Sequence, residues 1–308
     1  MSNSRSTALQ QQTKRLRRGP CDALSGRPRR ALFCLLLCLG LSLSLCIPAR
    51  AALPVRSAIL VNLNTGRVLY EQSADTAIPP ASLTKLMSMF LTLDAVKAGR
   101  ISLNRKVKVS RQAAATGGSS MHLRAGERVP LVRLLTGMAV ASGNDAAMTV
   151  AQHVHGNSRT FVRQMNRKAR ALGMRRTLFK NPTGLPAAGQ KTTARDMMTL
   201  SRAYLKAHPD AMRFHGTRFF LHKGRTMRNT NALLGSVAGV NGLKTGWTVA
   251  SGYNIVITAQ RGKTRLLAVV LGGNSKDRRD SSARRLIEAG FRHPSSPKQV
   301  QRALGRRR

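Results

Sequence analysis

Acidic residues are scarce in this 308-residue chain, with 11 Asp+Glu against 53 Lys+Arg and a formal net charge of +42. Aromatic residues make up only 4% and there is one tryptophan, so a core must rest on Leu, Val, Ala and Met. Cysteine is confined to Cys21, Cys34, Cys38 and Cys46. The chain beyond Cys46 therefore has no thiol, which excludes disulfides, zinc–cysteine sites and a cysteine nucleophile there. Histidine gives little more. His153 and His155 alternate with no Asp or Glu at ligand spacing, and His122, His208, His215, His222 and His293 are scattered. Neither a metal nor any other cofactor is expected. What the chain does have is length for one or two domains and 42% hydrophobic residues, which fits a globular protein.

The N-terminus sets the compartment. Eight basic residues precede position 31, an apolar run extends from Ala31 to Ile47, and Pro48-Ala49-Arg50-Ala51-Ala52 follows. A basic region, an apolar region and a small-x-small site form a secretory signal peptide, with cleavage expected after Ala51. The apolar run is slightly short for a membrane-spanning helix. Leu45 stands before Cys46 where a lipoprotein signal has a small residue. The expected organisation is thus residues 1–51 as signal peptide, 52–290 as one catalytic domain and 291–308 as a loose basic tail. In a cytosolic protein such a positive charge would point to nucleic acid. Export removes that reading, and no nucleic-acid partner is expected. An exported cationic surface suits anionic wall polymers or lipid headgroups, or is simply solvated.

Residues 57–63 read as a strand that turns at Asn64-Thr65-Gly66 and returns through Tyr70. From Ser82 to Ala98 apolar residues recur with a helical period, and Gly99 ends the run. Pro130 to His153 is mainly helical, with a break near Ser142-Gly143-Asn144; helices are also predicted at 161–171, 194–207 and 280–289. Asn181 to Pro186 is a loop, and residues 107–109 form a short strand. Residues 243–248, 253–259 and 264–271 are strands, the last two alternating about a turn at Arg261-Gly262-Lys263. Strands at the two ends with helices between them predict an α+β fold, an antiparallel sheet covered by helices rather than a parallel βαβ array.

Three short motifs carry the chemistry. Ser82-Leu83-Thr84-Lys85 places a hydroxyl and an amine three residues apart, on one face of a helix. A serine hydroxyl is a poor nucleophile until a base takes its proton. A lysine serves as that base when burial or a nearby cation depresses its pKa. Taken alone, the pair is what an N-cap serine and a solvated lysine would give. Ser295-Ser296-Pro297-Lys298 has the same spacing with a proline where a helix is needed. Ser142-Gly143-Asn144 sets a hydroxyl and an amide in one tight turn, able to relay a proton and hold a substrate amide. Ser102-Leu103-Asn104 has that form too, but follows the first helix too closely to line a separate wall. Lys244-Thr245-Gly246 on a strand gives a lysine and a hydroxyl for a carboxylate, with a glycine that lets backbone approach backbone. The order and spacing of the three, in an exported chain, carry the specificity that none has alone.

On these motifs, with Asp145-Ala146-Ala147, Thr193-Ala194-Arg195-Asp196-Met197 and Gly252-Tyr253-Asn254, the chain resembles the low-molecular-mass penicillin-binding proteins, the serine D-alanyl-D-alanine carboxypeptidases. The likeness runs from about Val55 to Phe291. It implies a β-lactamase/transpeptidase-like fold, a five-stranded antiparallel sheet flanked by helices with an all-helical subdomain. It implies that Ser82 attacks the carbonyl between two D-alanines of a peptidoglycan stem peptide, that Lys85 takes its proton, and that Ser142 passes a proton to the departing D-alanine. Asn144 would bond substrate and Lys85. Lys244, Thr245 and Gly246 would form the carboxylate-binding strand, and the backbone N–H groups of Ser82 and Trp247 the oxyanion hole. β-Lactam antibiotics would be inhibitors. Arg195 and Asp196 are expected to orient a helix against the cleft.

Some relatives carry a further C-terminal β domain ending in an amphipathic membrane helix. This chain stops at Arg308, and a soluble periplasmic protein, at most peripheral at the membrane, is expected. Trp247 is unusually bulky beside the oxyanion position. Three alternatives stay open: a DD-endopeptidase cutting crosslinks with the same residues, a β-lactamase, and a non-catalytic basic wall-binding protein. A class A β-lactamase is disfavoured, since no Glu lies between Asn144 and Lys244.

Overall fold

The computed structural model describes residues 52–305; the expected signal peptide lies outside them. Strands β1 (Ser57–Asn62) and β2 (Val68–Gln72) form the N-terminal hairpin. A 3-10 turn at Ala81–Leu83 leads into helix α1 (Thr84–Lys97). Strand β3 (Lys106–Lys108), a single turn α2 (Arg111–Ala114), strand β4 (Arg128–Pro130) and helices α3 (Leu131–Val140), α4 (Asn144–His155) and α5 (Ser158–Ala171) follow. Helix α6 (Ala194–Ala207) and a turn α7 (Met212–His215) lead to a small ribbon, β5 (Phe219–His222) and β6 (Arg225–Arg228). The chain then makes β7 (Val240–Thr248), β8 (Gly252–Arg261) and β9 (Thr264–Gly273), and ends in α8 (Lys276–Arg292) and α9 (Pro297–Gly305).

The two ends of the chain share one sheet. Its order is β2-β1-β9-β8-β7, antiparallel throughout, with Ile59 opposite Val269 and Val256 opposite Val269 on the other side. This is the five-stranded antiparallel sheet that the resemblance implies. The helical part also holds the short ribbon β3–β4, paired through Val107 and Val129.

Strands β8 and β9 alternate less in burial than in the sequence reading. Both are buried through their middles. Helices cover both faces of the sheet, and a strand buried on both faces reads as a continuous apolar run. On one face Ile59, Val61, Val256, Leu267 and Val269 meet Leu83, Leu86, Met87 and Phe90 of the α1 region. On the other, Leu60, Ile257, Leu266 and Val270 lie under Ala283, Leu286 and Ile287 of α8.

Helix α1 is the centre of the molecule. Every residue from Thr84 to Leu93 is buried, Lys85 included. A helix apolar all round belongs inside a protein, so Lys85 is a charge-bearing side chain committed to the interior.

The end of the chain departs from expectation. Helix α8 runs past residue 290, and residues 297–305 form a packed helix rather than a loose tail. Val300 and Leu304, four residues apart, are both buried in the outer core cluster. Asn62 Nδ2 donates to the Pro294 carbonyl at 2.9 Å, and Arg67 Nη1 donates to that of Ser295 at 2.6 Å. The surrounding charges hide an apolar stripe of only two residues. Among the described residues no helix is long and apolar enough to cross a membrane.

Candidate active site

The Ser82 turn is built under constraint. Ala81 has φ +48°, a conformation that costs an L-residue about 1–2 kcal/mol. Its carbonyl rests on Gly184, itself at φ +85°, where an added Cβ would lie 1.8 Å from the Ala81 oxygen. The loop carrying Gly184 is shaped by Asn181, whose Oδ1 accepts from the backbone N–H groups of Thr183 at 3.2 Å and Gly184 at 2.7 Å. Asn-Pro-Thr-Gly in the sequence thus encodes an Asx-type turn.

Three residues after Ser82, Lys85 turns back toward it. Lys85 Nζ lies 2.9 Å from Ser82 Oγ, 2.7 Å from Asn144 Oδ1 and 2.8 Å from the Thr183 carbonyl. The Asn144 orientation is fixed independently, because its Nδ2 donates to the Gly117 carbonyl at 2.7 Å. Burial holds the Lys85 ammonium well below its ordinary pKa; nearby Lys244 adds to this and Asp145 opposes it. A neutral amine has two N–H donors and one lone pair. The two amide oxygens can only accept, so they take the two N–H groups and leave the lone pair for the Ser82 O–H. An ammonium could donate to all three oxygens, so it is the burial of Lys85 that favours the base form.

Ser142 and Asn144 come from the break between α3 and α4. Ser142 has φ +60°. Its Oγ is buried and has no hydrogen-bond partner among the described residues. The break is held by Asp145 in the first turn of α4. Its carboxylate accepts from Ser120 Oγ at 2.6 Å and from the backbone N–H groups of Met121 and Leu123 at 2.9 and 3.0 Å. This pins the 117–123 loop, and with it the Gly117 carbonyl, against Asn144.

The third wall is β7, the outer strand of the sheet. Gly246 faces the nucleophile: a Cβ there would fall 2.9 Å from Ser82 N and 3.2 Å from Ala81 Cβ. Lys244, two residues earlier, is 1% exposed and donates to the Thr245 carbonyl at 3.0 Å. Burial, helped by Arg279, lowers its pKa to about 7. Thr245 Oγ1 donates to Thr230 Oγ1 at 2.7 Å. Trp247 is 54% exposed, its ring centroid 5.8 Å from that of Tyr253.

Ser82, Lys85, Asn144 and Gly246 are thus joined by direct contacts, and Lys244 is close enough for its charge to act on Lys85. Several participants had no sequence signal as site residues. Thr183 acts through its carbonyl and Thr230 through a tertiary contact. His215 backs β7, its Nδ1 3.1 Å from the Leu243 carbonyl and its Nε2 3.1 Å from Tyr204 Oη. Burial brings the pKa of His215 down to about 3, so it is a neutral spacer. Arg195 binds Asp75 at 2.9 Å and Glu71 at 3.0 Å, while Asp196 accepts from Thr177 Oγ1 at 2.7 Å. Arg195 thus fastens α6 to the segment leading to Ser82, and Asp196 fastens it to the stretch at Arg176 and Thr177. The look-alike Ser102 merely accepts from Asn104 N at 3.3 Å in a local turn. Among the described residues no three His, Cys, Asp or Glu side chains converge as metal ligands.

The chain is similar to several known proteins. A family profile described as D-alanyl-D-alanine carboxypeptidase matches residues 47–275. The D-alanyl-D-alanine carboxypeptidase DacF of Bacillus subtilis (strain 168) is 37% identical over 241 residues, 77% of this chain and 62% of that protein. This chain therefore spans less than two thirds of the Bacillus relative. Among solved structures, penicillin-binding protein 6B from Escherichia coli superposes with a TM-score of 0.75 at 36% identity, covering 78% of each chain. Penicillin-binding protein D2 from Listeria monocytogenes, in its ampicillin-bound form, gives a TM-score of 0.72 at 33% identity over 78% of this chain and 98% of that one. The chain belongs to the D-alanyl-D-alanine carboxypeptidase family, peptidase family S11.

Proposed function

We propose that the protein is a serine-type D-Ala-D-Ala carboxypeptidase that removes the terminal D-alanine from peptidoglycan stem peptides through an acyl-enzyme on Ser82. The observation that carries this is the buried Lys85 amine, 2.9 Å from Ser82 Oγ with its other two bonding directions taken by amide oxygens.

In this reading Lys85 accepts the Ser82 proton as Oγ attacks the carbonyl between the two D-alanines. The oxyanion that forms is met by the backbone N–H groups of Ser82 and Trp247; the close approach of β7 to Ser82 N at Gly246 supports that pairing. The unpartnered hydroxyl of Ser142 passes a proton from Lys85 to the departing amine. Lys244 and Thr245 hold the terminal carboxylate, which restores a full charge on Lys244. Water then attacks the ester, and the same lysine takes its proton.

The protein is exported and periplasmic in this reading, its cationic surface attracted to anionic wall or membrane surfaces. β-Lactams are its inhibitors, in keeping with the ampicillin- and cefotaxime-bound forms of the Listeria relative.

The test is intact-protein mass spectrometry after benzylpenicillin, beside a Ser82→Ala variant, followed by digestion of monomeric pentapeptides and crosslinked muropeptides. An adduct on the Ser82 peptide of the parent alone, with D-alanine release from pentapeptide, is expected. Crosslink cleavage without D-alanine release would make the protein a DD-endopeptidase, and rapid penicillin turnover a β-lactamase. Absence of both adduct and turnover would sink the acyl-enzyme reading.

A further inference from the structure

The ribbon of β5 and β6 has two unlike faces. Residues opposed in an antiparallel pair share a face. On the inner one Phe220 stands opposite Met227; Phe220 is buried and Met227 packs against the core. This side is fastened. The Arg133 guanidinium lies 4.8 Å from the centroid of the Phe220 ring and donates to the Leu221 carbonyl. The Glu127 carboxylate meets Lys223 Nζ at 2.9 Å and His222 Nε2 at 3.3 Å. On the outer face Phe219 stands opposite Arg228 and Leu221 opposite Thr226, and all four are exposed. Phe219 is 55% exposed and Leu221 58%.

The charge around this face has one sign. No Asp or Glu occurs between Asp210 and Asp277, a stretch that holds Arg213, Arg218, Lys223, Arg225 and Arg228. Among the described residues Arg218, Arg225 and Arg228 form no ion pair. The Arg218 guanidinium lies 5.9 Å from the centroid of the Phe219 ring. Two large apolar side chains held side by side and ringed by unpaired cations mark a surface that something covers.

We infer that the outer face of β5–β6 docks on an anionic lipid membrane, with Phe219 and Leu221 entering the interface and Arg218, Arg225 and Arg228 meeting the headgroups. Two observations choose this occupant. Unpaired guanidiniums are drawn to a surface of negative charge. The two apolar side chains gain only where they leave water. A sugar polymer bearing acidic groups would meet the first demand and offer Leu221 no apolar bed. The inference narrows the attraction proposed above for the exported protein to one element, and it does not depend on the chemistry of Ser82. Thr230, two residues past the ribbon, bonds Thr245 of β7. Docking at the ribbon would therefore hold the cleft close to the membrane.

The experiment floats the exported form, beginning at Ala52, with vesicles of phosphatidylglycerol and phosphatidylcholine or of phosphatidylcholine alone. It is run at about 0.15 M and about 1 M salt, between which the screening length falls from about 8 Å to about 3 Å. The parent is compared with Phe219→Ser/Leu221→Ser and with Arg225→Ser/Arg228→Ser. All four positions are exposed, so the substitutions leave the core untouched, and thermal midpoints check this. The parent is expected to bind the anionic vesicles and to leave the neutral ones at least about tenfold less occupied. The apolar double variant should lose about tenfold in affinity at both salts, because removal from water is not screened. The arginine double variant should lose about tenfold at the lower salt and little at the higher. An apolar variant that binds like the parent would reduce the attraction to net charge and overturn the docking face. A parent that floats with neither vesicle would overturn it too. So would self-association of the parent in sedimentation velocity that the apolar variant lacks, which would give the face to a second copy. Absence of a benzylpenicillin adduct leaves the flotation result as it is, so the two readings fail separately.

Discussion

Gly184 lies directly beneath the carbonyl of Ala81. A Cβ at Gly184 would stand 1.8 Å from that oxygen, and the residue's φ of +85° is itself costly for any other amino acid. Two loops 103 residues apart in sequence (184 minus 81) are therefore fitted to one another at the residue before the nucleophile.

Gly184→Ala is the first prediction. The substitution must push Ala81, and with it Ser82, away from Lys85. A misplacement of about 1 Å can cost roughly 10²-fold in rate, so acylation by benzylpenicillin should fall about that far. Thermal denaturation should show a loss of about 1–3 kcal/mol. Unchanged acylation in a folded variant would show that the contact does not position Ser82.

Ser142→Ala should separate activity from stability. The Ser142 hydroxyl is buried with no partner among the described residues. Removing an unsatisfied buried polar group is close to neutral or stabilising. The denaturant midpoint should therefore hold or rise slightly, while D-alanine release drops by about 10²-fold, within the range for general acid–base groups. A large loss of stability would mean that the hydroxyl has a structural partner.

Lys85 and Asn144 should behave as one unit. Lys85→Ala removes the base, with an expected loss of about 10²–10⁴-fold in acylation. Asn144→Ala takes one of the two amide acceptors from the lysine and should cost about 10²-fold. Because the two side chains are bonded at 2.7 Å, the double variant should be little worse than Lys85→Ala alone. Multiplicative losses would show that Asn144 acts on substrate only.

The two lysines give opposite pH limbs. Acylation needs Lys85 neutral, so its rate constant rises with pH as that proton is lost. Carboxylate binding needs Lys244 charged, so the rate declines on the alkaline side, where the free-enzyme value is about 7. Stability follows the same shifts with its own sign. Both folded-state values lie below the ordinary 10.5, so the unfolded chain binds more protons between about pH 7 and 10.5. Stability contributed by these groups therefore increases with pH across that window. Thermal scans of the parent and of Lys244→Met at pH 7 and 9 check this; the variant should show the smaller rise.

The readable part of the site was the part encoded locally. A spacing of three on a helix is enough to join Ser82 and Lys85, and alternation on a strand is enough to put Lys244 and Gly246 on one face. The Thr183 carbonyl was not legible, because any residue type supplies that atom and only the Asn181 turn aims it. Thr230 and the His215–Tyr204 pair serve through contacts made after the chain has folded. The fold shows the same division. The end hairpins were visible in turn chemistry. The burial of β8 and β9 on both faces depends on α8 and α9 covering the sheet, and α9 itself carries only Val300 and Leu304 as an apolar signature in a basic stretch. Ribbon β5–β6 was missed because its strands are only four residues each, and neither FFLH nor RTMR alternates apolar with polar residues.

The position of β7 at the end of the sheet also bears on self-association. An open strand edge is a template on which a second copy can add its own edge and begin an aggregate. Here the turn at Ala81–Leu83 covers the face of β7 at Gly246. Loosening the Ala81–Gly184 contact would uncover that face beside the open edge, so it should make the protein more prone to aggregate as well as less active.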